Sequence, residues 1–235
     1  MKILAIDTAT PASSVAIGDD DAVRGLSVNV DGRGHVKFLV PAIDFCLSQA
    51  GWNSRDIELV AVDVGPGPYT GLRSGIATAQ AFAAAIGAPM ATVSSLTTIA
   101  LRAATGHRRI WPVVDMRRGQ IAVAPFTPLP GGVAPDGDPE VVRPEDFKAM
   151  LEAEAVESLV VGDWQSVPDS TWTGLQNVKR GMPRYPSAET ILEIAAMKAR
   201  HGKTLGPEDV RPTYMRDPDV QINWKAFRSE GAWPQ

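Results

Sequence analysis

Two aspartates close apolar runs in this chain. Asp7 ends Ile3-Leu4-Ala5-Ile6, and Asp115 ends Ile110-Trp111-Pro112-Val113-Val114. A carboxylate at a strand end, followed by a hydroxyl such as Thr8, can hold a metal-bound water or a phosphate. It can equally cap its own turn through nearby backbone N–H groups. A third element is the turn Gly65-Pro66-Gly67-Pro68-Tyr69-Thr70-Gly71-Leu72-Arg73-Ser74-Gly75. Such a turn can aim N–H groups at an anion. Its glycines can instead let two backbones approach closely. It lacks the Gly-Lys-Ser/Thr of a P-loop and carries no charge before Arg73, so on chemistry alone it is a weak phosphate cradle. If a nucleotide binds, the residues beside it are Asp7, Thr8, Gly65, Gly67 and Asp115.

Other chemistries find little support. His35, His107 and His201 lie far apart, and none has a second ligand three or four residues away, so no metal site is expected. There is no Gly-x-Ser-x-Gly elbow. Cys46 is the single cysteine, which excludes an intramolecular disulfide and fits a reducing, cytoplasmic setting. The 235 residues carry a formal net charge of -4, a poor balance for a stand-alone nucleic-acid binder. Local basic spots stand at Arg108-Arg109, Arg117-Arg118, Lys179-Arg180, and Lys198 with Arg200 and Lys203; most such runs are simply solvated faces. No apolar run is long enough to cross a bilayer, and none resembles a signal peptide.

The elements that must position these residues follow from pattern. Strands are predicted at Lys2 to Asp7, Ser14 to Ile17, Ala22 to Val30, Glu58 to Val64 and Met90 to Val93. A helix is predicted over Val36 to Ala50, stopped by Gly51. Val36, Leu39, Val40, Ala42, Ile43, Cys46, Leu47 and Ala50 form its apolar arc, with Pro41 a point of kinking. Phe38 and Phe45 fall outside that arc, which points to a second buried surface, either a subunit contact or a cover from the same chain. A second helix runs from Thr70, its N-cap, to Ile86. Gly71, Gly75, Ala79 and Ala83 give it a small-residue face suited to close packing. A short helix follows at Leu96 to Ala104. Near Gly106 the pattern restarts: strand, Asp115 and a strand at Ile121 to Ala124 repeat the opening, which hints at two related halves. Pro125 to Pro139 reads as a loop or irregular hairpin, and Trp164 to Tyr185 as largely irregular. Helices at Pro144 to Glu154 and Ser187 to His201, with a strand at Ser158 to Gly162, complete the second half before a Pro-rich tail.

Four motifs in order resemble the TsaB (YeaZ) family: Ile3-Leu4-Ala5-Ile6-Asp7-Thr8, the Gly65 to Gly75 turn, Val114-Asp115-Met116-Arg117-Arg118-Gly119, and Pro212-Thr213-Tyr214-Met215-Arg216. The resemblance spans nearly the whole chain. It departs from the family at Pro68-Tyr69, Val36-Lys37 and Met215. It implies an α/β, actin-like (ribonuclease H-like) fold of two duplicated half-domains, residues 1–104 and 105–217, with a tail at 218–235. It also implies a non-catalytic subunit for threonylcarbamoyladenosine modification of tRNA, dimerising with a TsaD-like catalytic subunit and meeting a TsaE-like ATPase. Alone, such a chain forms a homodimer; tRNA is met only through the complex. No cofactor is expected in the isolated chain, with ATP or ADP left to the heteromeric complex. The TsaD-type His-x-x-x-His metal pair falls here at Ser95 and Ile99, neither of which can replace a histidine ligand. The family's partner face implies contact through the first two helices, with His35, Phe38, Leu39, Ala42, Phe45, Cys46, Leu72, Arg73, Gly75, Ile76 and Ala79 as candidates. The alternative is an active enzyme of the same fold, an ATP-dependent small-molecule kinase or a metalloprotease-like hydrolase.

Overall fold

The computed structural model describes residues 1–19, 22–32, 34–103 and 106–215. Arg216 and the expected tail lie outside the described residues. β1 (Ile3–Asp7) is buried at every position, because it runs through a sheet covered on both faces. It pairs antiparallel with β2 (Ala12–Gly18), which pairs antiparallel with the edge strand β3 (Val23–Val30). After α1 (His35–Ala50), β4 (Leu59–Asp63) joins the other side of β1 in parallel. After α2 (Tyr69–Ile86), β5 (Met90–Val93) joins β4, also in parallel, and α3 (Ser95–Arg102) leads to the second half.

The second sheet repeats this plan. β6 (Arg109–Asp115) pairs antiparallel with β7 (Ile121–Val123). β8 (Phe126–Leu129) and β9 (Gly132–Pro135) form a hairpin off β6, in the stretch read as a loop or irregular hairpin. β10 (Glu140–Val142) pairs antiparallel with β7. After α4 (Pro144–Glu152), β11 (Ser158–Gly162) lies parallel to β6, and β12 (Val178–Arg180) parallel to β11. The orders β3-β2-β1-β4-β5 and β10-β7-β6-β11-β12 therefore match strand for strand and direction for direction. The duplication hinted at by the two terminal aspartates is a duplication of whole sheets.

The last helix, α5 (Ala188–Arg200), departs from a simple two-half division. It belongs to the second half in sequence but packs on the first sheet. Ile191, Leu192 and Ala195 cover Ile3, Ala5, Ala16, Leu59 and Ala61, while α1 and α2 cover the opposite face at Leu4, Ile6, Val15, Val60 and Val62. Ala188 donates its N–H to Ser14 Oγ at 2.8 Å, fixing the start of α5 on β2. The physical reason is β1 itself: its alternating side chains are apolar on both faces, so each face needs a helix.

α1 corrects the predicted apolar arc. Leu39, Ala42, Ile43, Cys46 and Leu47 are buried, but Val36 and Val40 are 71% and 66% exposed. α2 starts one residue early, with Pro68 rather than Thr70 at the cap position.

Candidate functional site

β1 and β4 are parallel neighbours, so their terminal acids Asp7 and Asp63 come together at one end of the first sheet. Both are buried. Asp7 Oδ1 accepts from the Ala9 N–H at 2.9 Å. Asp63 Oδ1 accepts from the Gly65 N–H at 2.8 Å and from Ser95 Oγ at 2.7 Å. The second oxygen of each acid has no hydrogen-bond donor among the described residues. Burial, followed by the Asp63 charge, raises Asp7 well above the usual carboxylate range. Burial pushes Asp63 up to about 7, against the pull of its Ser95 and Gly65 bonds. A proton on one acid gives the facing oxygens the donor they otherwise lack. Sequence reading singled out Asp7 and passed over Asp63. The signal was present, since Asp63 closes Leu59-Val60-Ala61-Val62 just as Asp7 closes β1.

The second half carries a looser copy. Asp163 follows β11 and is mostly buried, and its Oδ2 lies 3.4 Å from the Asp115 N–H. Burial pushes Asp163 up to about 6. Asp115 accepts from the Arg117 N–H at 2.7 Å and pairs with its guanidinium at 3.3 Å, so it caps its own turn. Asp115 sits on the second sheet and is not joined to the Asp7 cluster.

The glycine turn is closed. An added Cβ would stand 2.1 Å from the Ala9 carbonyl at Gly67, 2.2 Å from the Thr8 carbonyl at Gly71 and 2.2 Å from Thr8 Oγ1 at Gly75. The start of α2 lies directly on the Thr8-Ala9 segment, and the small-residue face serves that contact. Thr8 Oγ1 donates to the Gly71 carbonyl at 2.8 Å and is buried, so it is not available to a phosphate. The Gly65 N–H is taken by Asp63. The expected nucleotide neighbours Asp7, Thr8, Gly65 and Gly67 are thus packed on one another, with the Thr8 hydroxyl and the Gly65 N–H already paired inside the chain. Among the described residues, no three His, Cys, Asp or Glu side chains come together to hold a metal.

Ser95 and Ile99, where the family resemblance puts the TsaD-type histidine pair, are both fully buried on α3. Ser95 is tied to Asp63, and Ile99 is part of the core with Leu96, Ile110 and Val114.

Of the eleven candidate partner contacts, seven lie inside this chain. Leu39, Ala42, Cys46, Leu72, Gly75, Ile76 and Ala79 are buried in this chain's own core, because α1 and α2 turn these faces onto the first sheet. His35 is also largely buried, sharing a 2.6 Å hydrogen bond through Nδ1 with Ser13 Oγ; burial lowers its pKa. Phe38 packs partly on the core, and Phe45 is 50% exposed. Both phenylalanines line a groove between α1 and β3, with Ser27, Asn29 and Pro41. Arg73 is exposed, where its guanidinium lies 5.3 Å from the Tyr69 ring centre and bonds the Tyr214 hydroxyl at 2.8 Å.

What α1 and α2 do expose is a different apolar groove between them. It has a volume of about 580 Å³ and is lined by Val40, Ile43, Leu47, Ala77, Ala81 and Phe82. Sequence reading missed it because Val36 and Val40 fall on the helical wheel beside true core residues. Only the position of α2 leaves them uncovered.

Comparison with known proteins agrees with this architecture. A family model described as "TsaD: tRNA N6-adenosine threonylcarbamoyltransferase" matches residues 23–147. The chain is 33% identical over 229 residues to the tRNA threonylcarbamoyladenosine biosynthesis protein TsaB of Escherichia coli, covering 96% of this chain and 97% of that one. A crystal structure of an uncharacterized protein with similarity to the peptidase YEAZ from Pseudomonas aeruginosa superposes with a TM-score of 0.78 at 26% identity, covering 92% of this chain and 99% of the other. An activator of the 2-hydroxyisocaproyl-CoA dehydratase from Clostridium difficile, solved with bound ADPNP, shares the fold alone, with a TM-score of 0.50 at 11% identity over 91% of this chain and 100% of that one. The sheets are those of the α/β, actin-like fold. Match along nearly the full length of both chains, with four ordered motifs and the repeated sheet plan, places this chain in the TsaB (YeaZ) family.

Proposed function

We propose that the chain serves tRNA threonylcarbamoyladenosine biosynthesis as a non-catalytic activator that pairs with a TsaD-like catalytic subunit. The observation that carries this reading is the fate of the two metal-histidine positions. Ser95 and Ile99 are buried side chains that lock an acid and fill a core, so the ligand pair a transferase of that type needs has no counterpart here. The closed glycine turn supports the same reading, because the Thr8 hydroxyl and the Gly65 N–H beside Asp7 are already paired within the chain. ATP or ADP then belongs to the assembled complex, with a TsaE-like ATPase, and tRNA is met there too.

The α1/α2 groove is the proposed docking face, shared by a homodimer of the chain alone and by the heterodimer. Its apolar lining and the exposed Val36 and Val40 suit helix-to-helix packing. The test is size-exclusion co-elution with the TsaD-like subunit. Val40→Asp and Ala81→Asp each place a charge in the groove and are expected to weaken association at least tenfold. Phe45→Asp, on the other flank of α1, is expected to weaken it less. Undiminished co-elution of the first two variants overturns this assignment.

A further inference from the structure

The turn Arg117-Arg118-Gly119, left unused by the docking face, points to a surface of its own. β6, β11 and β12 run parallel, so their C-terminal ends share one end of the second sheet. Three groups of cations meet there. Arg117 and Arg118 are exposed in the turn after β6, with φ of 65° and 56°. Left-handed backbone costs a non-glycine residue roughly 1–2 kcal/mol, and two such residues in succession hold both arginines outward at that cost. Arg184 stands 4.0 Å from Asp163, the acid behind Asp115 and Arg117. Its guanidinium lies 5.0 Å from the Tyr185 ring centre. Arg180 and Lys179 occupy the exposed edge strand β12. Arg180 lies 4.9 Å from the Trp164 ring centre and 5.3 Å from that of Trp172. The Trp164 indole N–H donates to the Gly181 carbonyl at 3.0 Å, which joins this stack to the segment that carries Arg184.

The result is a ribbon of arginines, Arg117, Arg118, Arg180 and Arg184, with Arg117, Arg180 and Arg184 set against Asp115, Asp169 and Asp163, in a chain whose formal net charge is -4. Guanidinium planes held by aromatic rings lose little freedom when they bind, and their donor fork matches phosphate oxygens.

We propose that this ribbon docks the phosphate backbone of an RNA hairpin brought to the assembled complex. The proposal rests on the reading that the chain works within a tRNA-modifying complex. Its contribution is sequence-independent positioning, since arginines on a phosphate backbone fix register without reading bases.

The experiment uses the complex of the full chain with the TsaD-like subunit. The probe is a fluorescein-labelled anticodon stem-loop RNA, titrated by anisotropy at several salt concentrations. Two double variants, Arg117→Gln with Arg118→Gln and Arg180→Gln with Arg184→Gln, are compared with wild type. Each lost phosphate contact lowers the log–log salt slope by roughly 0.7–0.9. Each double variant is therefore expected to lower the slope by about one to two and to weaken binding several-fold at the lowest salt, with co-elution intact. Variants that co-elute and bind RNA with wild-type affinity and slope overturn the proposal. Loss of co-elution with RNA affinity intact also overturns it, marking the ribbon as a protein-docking surface. Failure of the wild-type chain to co-elute at all is a different result, since it defeats the activator reading itself.

Discussion

Replacing Asp63 with asparagine should remove a specific pH dependence from folding. In the native chain Asp63 is sealed beside Asp7 and is pushed up to about 7, well above the ordinary carboxylate range. Its folded pKa is raised, so the folded state keeps a proton that the unfolded chain has already released. The associated stability is fully present below the unfolded value and is lost as pH rises through the folded one. Between the ordinary carboxylate value and about 7 this amounts to about 4 kcal/mol across the window from pH 4 to pH 7. Asp7 shifts in the same direction, so the pair as a whole loses stability with rising pH. His35 acts oppositely, because its lowered pKa removes stability as pH falls. Comparing wild type with Asp63→Asn cancels His35 and the groups not coupled to Asp63, so the difference reports the Asp7–Asp63 pair. Asparagine keeps the shape, and its amide can donate to Asp7. Urea unfolding followed by tryptophan fluorescence at pH 5, 6, 7 and 8 supplies the free energies. Wild type is expected to lose about 1.4 kcal/mol per pH unit relative to the variant between pH 5 and 7, with the difference levelling above that. A difference that stays flat from pH 5 to 8, or that grows in wild type's favour, refutes the shared-proton account.

Gly67→Ala places a methyl 2.1 Å from the Ala9 carbonyl, a backbone atom that cannot swing aside, and should destabilise by about 1–3 kcal/mol or more in thermal unfolding. Gly106→Ala has nothing within 4 Å of the new atom and serves as the control, expected near zero. Thr8→Val keeps the side-chain shape but strips the buried Gly71 carbonyl of its side-chain donor, for a loss of about 1–3 kcal/mol. An unchanged melting temperature for Thr8→Val would show that this hydroxyl does not hold α2 to β1.

Much of the framework is legible in residue order, for a physical reason. β1, β5 and β11 are short apolar runs between turn formers, and Gly51 and Gly87 end their helices at φ of 67° and 72°, as a left-handed cap requires. Other features depend on what lies across space. Whether Val40 or Phe38 is covered is decided by α2 and β3, not by the helical wheel of α1. Asp63 matters because a parallel neighbour brings Asp7 beside it. β12 is three residues long with two exposed basic side chains, so its pattern does not separate it from a loop. The closure of the glycine turn was half visible: its lack of charge argued against phosphate, while the backbone it meets, Thr8-Ala9, is fifty residues or more away in sequence.

The return of α5 to the first sheet has a consequence for how the protein comes into being. Residues 3 to 93 supply every strand of that sheet, yet one of its faces stays bare until residues 188 to 200 arrive. During synthesis the first half therefore waits, apolar face uncovered, while about a hundred further residues are made. A fragment that stopped after the first half would keep that face exposed for good, inviting aggregation rather than independent folding. The two halves are copies in plan but not separable in practice. The chain matures as one unit, its first sheet completed only when α5 has been added.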